Sequence, residues 1–142
     1  MSQCEKWDKR FLDLAEHVSQ WSKDPRTKVG AVIVDDKKRV VSIGYNGFPR
    51  GVSDSVDRYE DRPTKHLFVA HAERNALDNA PLSVEGCTIY SPLFPCNECA
   101  KSIIQKGIRR VVSRPIFEDN PTFNWDISMK MFQEADISVE FL

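Results

Sequence analysis

The strongest constraint in this chain is a pair of short clusters, His71-Ala72-Glu73 and Pro95-Cys96-Asn97-Glu98-Cys99. If their imidazole and thiols share one ion, the fold must bring two remote segments to a point. Cys96 and Cys99 are three apart, so at a helix start both sulfurs face the same side. Pro95 suits the first turn of such a helix, where its missing N–H costs nothing. The positive end of a helix also lowers thiol pKa values, favouring the thiolates that a metal needs. Thiolate and imidazole donors together suit tetrahedral zinc. Three protein ligands, His71, Cys96 and Cys99, leave a fourth position for water, which is how catalytic zinc sites differ from structural ones.

Two thiolates and a neutral imidazole make the zinc site formally neutral, so it acidifies water less than an all-histidine site. Such a water needs a base. Glu73, at the mouth of the same helix as His71, can accept the water proton and later deliver protons to the substrate. That proton traffic fits hydrolytic removal of ammonia from an amidine-like ring. The alternative is a closed structural site with Cys87 as fourth ligand. Against it, Cys87 lies in a strand pattern, where a cysteine packs as a small hydrophobe, and Glu73 would have no purpose. Cys4 reads as a free thiol near the start of the chain.

The scaffold around these clusters is legible as periodicity. Trp7, Phe11, Leu14, Val18 and Trp21 fall on one stripe of an amphipathic helix, with the aromatics Trp7, Phe11 and Trp21 in the core. His17 lies beside that stripe in a partly buried structural role. Asp24-Pro25 ends the helix. Residues 29–34 read as a buried strand, 35–38 as a turn and 39–45 as its hairpin partner. Residues 46–65 show little periodicity and read as a structureless loop, which in a compact domain usually serves function. A helix over 71–80, a strand over 87–91, a helix from Pro95 to about Lys106 and a strand over 108–113 follow. A helix over 125–135 and a strand over 137–141 complete the chain. The order α-β-β-α-β-α-β-α-β implies a mixed sheet between helices. With no repeat, low-complexity tract or linker, residues 1–142 are expected to form one domain.

Charge narrows the partners. Twenty Lys+Arg stand against 21 Asp+Glu, a net charge of −1, which argues against a surface built for long nucleic acid. It leaves room for a small anionic ligand, which needs only a local cluster. No stretch approaches a membrane span, and the first twenty residues lack a signal-peptide core. The expected location is therefore cytoplasmic and reducing, where four cysteines point to metal or chemistry, not disulfides.

H-x-E followed by P-C-x-x-C is the known signature of zinc-dependent base deaminases. Together, HAERNAL at 71–77, FPCNECAK at 94–101, GYNG at 44–47 and DPRTKVG at 24–30 resemble the deoxycytidylate deaminase branch of the cytidine deaminase superfamily. The similarity runs over roughly residues 5–142. It implies an α/β fold, a three-layer αβα sandwich with a five-stranded mixed sheet, as one zinc-dependent deaminase domain over 1–142. It implies one catalytic Zn2+ held by His71, Cys96 and Cys99, with Glu73 as proton shuttle. The activity it implies is hydrolysis of dCMP to dUMP and ammonia, feeding thymidylate synthesis, with dCTP and 5-methyl-dCMP as further candidate substrates.

The resemblance also assigns substrate contacts. Asn46 would meet the sugar hydroxyl, and the backbone around Ala72 the pyrimidine edge. Phe117 lies where relatives tend to have a tyrosine near the pyrimidine; it keeps the aromatic face and loses the hydroxyl. Of the basic residues Arg26, Lys28, Arg50, Arg58, Arg62 and Lys65, the set Arg26, Lys28 and Arg50 is expected to converge on the 5′-phosphate. His66 reads as a loop residue or a phosphate contact, and Arg74 as a phosphate contact or an interface residue. Phe123 and Trp125 wall the pocket or anchor the last helix. Regulated relatives respond to dCTP and dTTP, so nucleoside triphosphate effectors with Mg2+, and a homo-oligomer up to a hexamer, follow by resemblance. Two other readings stand beside this one. A deaminase of nucleosides or of bases in RNA or single-stranded DNA would not need a mononucleotide 5′-phosphate. A zinc-stabilised binding module would have four protein ligands and release no ammonia.

Overall fold

A computed structural model describes residues 3–117 and 120–142. Its elements are α1 (Gln3–Ser19), β1 (Gly30–Val34), β2 (Val40–Tyr45), α2 (Val56–Glu60), α3 (Arg62–Phe68), α4 (Ala72–Asn79), β3 (Thr88–Tyr90), α5 (Asn97–Gln105), β4 (Arg110–Ser113), α6 (Trp125–Glu134) and β5 (Ser138–Phe141). They form a five-stranded sheet in the order β2-β1-β3-β4-β5. The β1 strand runs antiparallel to both β2 and β3. The β3, β4 and β5 strands are parallel, joined through α5 and α6 as parallel pairing requires.

Alternation along the strands builds two cores. Val32, Val34, Tyr90 and Val112 point to one face and bury Phe11, Leu12 and Ala15 of α1. Ala31, Ile33, Ile89 and Val111 point to the other and pack with residues of α4, α5 and α6, including Ala76, Ile103 and Phe132. Every residue of β1 is buried because both faces are covered, so its sequence is apolar without alternation. The result is the three-layer αβα sandwich.

Two glycines set the spacing of the layers. A Cβ at Gly30 would run into the Ala15 carbonyl, and one at Gly44 into the Ala76 nitrogen. Helices α1 and α4 therefore lie directly on the sheet backbone at these points. For α4, which carries His71 at its N-cap, this contact fixes how far the site sits from the sheet.

Three expectations need correction. The segment read as a loop over 46–65 contains α2, and α3 begins within it. Pro63 lies in the first turn of α3, where proline is tolerated, so it opens the helix where sequence alone suggested a break. Both helices are short and are pinned by aromatic packing: Phe48 stacks on Tyr59 at 4.3 Å and meets Phe68 at 5.6 Å. Trp21, expected in the core, is 50% exposed. Helix α1 ends at Ser19, so Trp21 leaves the stripe and lies edge-on to His17 and Tyr45. His17 itself is exposed.

Candidate metal centre and active site

Both clusters become helix N-termini. His71 is the N-cap of α4 and Cys96 the N-cap of α5, each with extended backbone. Pro95 thus precedes the cap, and the helix starts at Asn97, two residues later than expected. His71 Nδ1 lies 3.4 Å from the sulfurs of both Cys96 and Cys99. Tetrahedral zinc with ordinary Zn–S and Zn–N bonds separates such donors by about 3.5 Å, so the donor set fits this ion. Among the described residues these three form the one His/Cys/Asp/Glu cluster with metal-ligand spacing. Cys87 is buried outside it, so among the described residues no fourth side chain of these types joins the three.

The thiols share their protons unequally. A hydrogen bond from Cys99, aided by His71, pushes the Cys96 thiol down to about 4. The same Cys96 contact and burial push the Cys99 thiol up. The hydrogen bond to Cys96 also raises the His71 pKa.

Glu73 lies in the first turn of α4 and is 4% exposed. Burial raises its pKa, outweighing the nearby His71 charge. The Ser91 hydroxyl lies 3.4 Å from Glu73 Oε1 but donates at 2.7 Å to the Leu93 carbonyl. Ser91 and Cys99 thus neighbour the carboxyl, and among the described residues no lysine or arginine forms an ion pair with it. Nothing in the sequence pattern marked Ser91; its contact exists because strand β3 ends beside α4.

His71, Ala72, Glu73 and Cys96 line a cavity of about 350 Å³. Asn46 lines it too, but its amide is engaged: Oδ1 accepts from Val29 N at 2.8 Å and Nδ2 donates to Thr27 O at 2.8 Å. Asn46 thereby ties the residues after Asp24 to the end of β2. Asp24, read from sequence as a helix stop, is buried in the cavity wall. Its Oδ1 accepts from Arg26 N and Thr27 N, and its Oδ2 lies 3.0 Å from Lys65 Nζ. Burial pushes the Asp24 carboxyl up, but these donors hold it below the usual range.

The other wall belongs to the last loop. Trp125 Nε1 donates to the Phe94 carbonyl at 2.7 Å, and Phe123 stacks on Trp125. The Phe123 carbonyl accepts from Asn97 N, tying this loop to the first turn of α5. Phe123 and Trp125 both face the cavity, whereas Phe117 is 90% exposed and does not.

The expected basic set does not converge. Arg26 and Lys28 are exposed and outside the cavity wall, and Lys28 Nζ donates to the Ser22 carbonyl. Arg50 lines a different cavity between β2 and α4, hydrogen-bonded to Asn79. Arg58 lies over the Phe68 ring, and Arg74 is exposed beside Asp78. The basic residues that do reach the metal cavity are Arg62, Lys65 and His66. Sequence reading did not separate them from their neighbours because their common face appears only once 62–68 is helical.

Comparison with known proteins matches these features. The family model of the cytidine and deoxycytidylate deaminase zinc-binding region covers residues 5–114, which hold all three ligand residues. A protein of Aliivibrio fischeri described as "Uncharacterized deaminase in luxG 3'region" is 46% identical over 96% of this chain and 94% of its own length. The human deoxycytidylate deaminase is 46% identical over 75% of this chain and 63% of its own length. The dCMP deaminase of cyanophage S-TIM5, solved in complex with dCMP and dUMP, superposes with a TM-score of 0.75 at 27% identity. That match covers 100% of this chain and 99% of the phage chain.

Proposed function

Since the chain belongs to the cytidine and deoxycytidylate deaminase family, we propose that it is a zinc-dependent enzyme converting dCMP to dUMP and ammonia. The observation that carries this reading is the buried Glu73 carboxyl, with raised proton affinity, beside the His71, Cys96 and Cys99 donors in one cavity. The similarity to a structure bound to dCMP and dUMP supports the choice of substrate.

His71, Cys96 and Cys99 would hold the zinc, which when bound would supply a Lewis acid for a water beside C4 of the cytosine. Glu73 takes one proton from the attacking water and passes it to N3 as C4 becomes tetrahedral. It then carries the remaining proton of that water from the new C4 hydroxyl to the amine, so that ammonia leaves, N3 keeps its proton and the C4 carbonyl of uracil forms. A carboxyl of raised pKa suits this double role, because it holds a proton readily and still releases it. Ala72 offers backbone at the pyrimidine edge. Asn46 bears on the sugar, both as lining and through the loop it holds. The stacked Phe123 and Trp125 form an aromatic wall that excludes water from the ring.

Ammonia release from dCMP, dCTP, CMP, deoxycytidine and 5-methyl-dCMP tests the proposal. The zinc-loaded protein should turn over dCMP with the highest kcat/KM of the panel, and the dCTP and 5-methyl-dCMP arms read how far the range extends. No ammonia from any cytosine compound refutes the enzyme reading. A preference for deoxycytidine refutes dCMP as the substrate.

A further inference from the structure

Residues Arg62, Lys65, His66 and Val69 line the metal cavity, at the spacing that places side chains on one helical stripe. We propose that this face of α3, and not Arg26, Lys28 or Arg50, binds the 5′-phosphate of the nucleotide. Arg62 and His66 are its direct ligands, and Lys65 is a third cation set in place before substrate arrives. The inference rests on the dCMP reading and deepens it.

Charge is the first argument. Among the described residues, two carboxyl groups line the cavity, those of Glu73 and Asp24. The Asp24 carboxylate in the wall is matched by Lys65 at 3.0 Å and by two backbone N–H groups. The Arg62 guanidinium then remains without a counter-ion among the described residues. An unengaged guanidinium beside a paired Asp24 and Lys65 suits an anionic group on the substrate.

Donor geometry is the second. Lys65 is 7% exposed, and an ammonium so buried persists only when paired. Its amine has three donors, of which Asp24 accepts one, and the rest are available to a ligand in the cavity that Lys65 lines. Arg62 and His66 are exposed and make no ion pair or hydrogen bond among the described residues, so both can meet a ligand without breaking an existing contact. A guanidinium forks onto phosphate in two parallel bonds, and an imidazole adds a single directed one. The residues expected from sequence lack this freedom or this location: Lys28 serves the Ser22 carbonyl, and Arg50 serves Asn79 in another cavity.

The test compares dCMP with deoxycytidine, which has the same base and sugar and no phosphate. For Arg62→Ala, kcat/KM on dCMP should fall about 10–150-fold, the effect of losing one charged hydrogen bond. On deoxycytidine it should fall less than about threefold. His66→Ala should show the same selectivity with a smaller loss, and Arg62→Lys, which keeps the charge without the fork, should recover part of it. Arg62 and His66 are exposed, so these variants should fold. Lys65→Gln should follow the same pattern, with circular dichroism reporting whether Asp24 tolerates the exchange. Arg50→Ala should stay within about twofold of the parent on both substrates. Equal losses on the two substrates, or an Arg62→Ala protein with parental dCMP kinetics, overturn the phosphate assignment while leaving a dCMP-specific parent intact. A parent that deaminates deoxycytidine as well as dCMP overturns the dCMP reading, and the phosphate site with it.

Discussion

Asp8 and Glu73 are buried on opposite faces of the same sheet, 1% and 4% exposed, yet their chemistry diverges. Asp8 on α1 accepts two hydrogen bonds from Arg110, at 2.9 and 2.6 Å, and one from the Tyr90 phenol at 2.7 Å. Burial pushes its carboxyl up, but Arg110 and Tyr90 more than offset this and hold it below the usual range. The phenol of Tyr90 moves the other way, pushed up by burial and by its bond to Asp8. Glu73 has no such cation clamped on it, and burial raises its proton affinity. Burial alone therefore does not define a catalytic carboxylate. Partners decide whether a buried acid is a permanent charge that straps a helix to a sheet or a group that can carry a proton.

The comparison can be broken at either end. Cys99→Ala should have the largest effect, removing zinc and all measurable turnover while leaving the Asp8–Arg110 strap untouched. Metal analysis checks this; full zinc in the variant would mean that another group is the ligand. Glu73→Gln should keep zinc and fold and lower kcat by about 10²–10⁴-fold. Near-parental turnover would place the proton shuttle elsewhere.

Asp8→Asn should do the reverse: activity per folded molecule stays near the parent value while stability drops. Removing one partner of a buried ion pair costs about 3–5 kcal/mol, and here the lower end applies because Arg110 keeps Glu140 at 2.9 Å. Urea denaturation measures the loss, and an unchanged midpoint would show that the strap holds nothing.

The smallest effect concerns pH. The folded-state pKa values of Asp8 and Asp24 lie below the unfolded value of about 3.9. Their stabilisation is therefore full above that value and is lost as pH falls through the folded values. Stability should decline from about pH 5 downward, and Asp8→Asn should flatten that decline. An acid limb as steep as the parent's would remove Asp8 from the account.

Much of the centre was legible in sequence because its determinants are local. A proline, two cysteines three apart and a His-x-Glu each specify a helix start and the donors it presents. Hydrophobic patterning marked every strand to within two residues, since a short apolar run such as those of β3 and β4 needs only near neighbours. Periodicity failed where packing overrides it. Trp21 lies two residues past the end of α1, and α2 and α3 form in a segment rich in glycine and proline because Phe48, Tyr59 and Phe68 gather there.

The amino-acid sequence by itself thus determined the chain order of the five strands and the four longer helices, and the donor cluster His71, Cys96 and Cys99 with a carboxylate two residues from its histidine. Ligand chemistry and helix starts are properties of a few adjacent residues. The tertiary structure decided which cations share the cavity with that centre. It turned Arg50 toward Asn79, kept Arg26 and Lys28 outside, and brought Arg62, Lys65 and His66 to the wall beside Asp24. Such choices depend on how short helices held by remote aromatics orient their faces, and no local pattern of charges encodes that orientation.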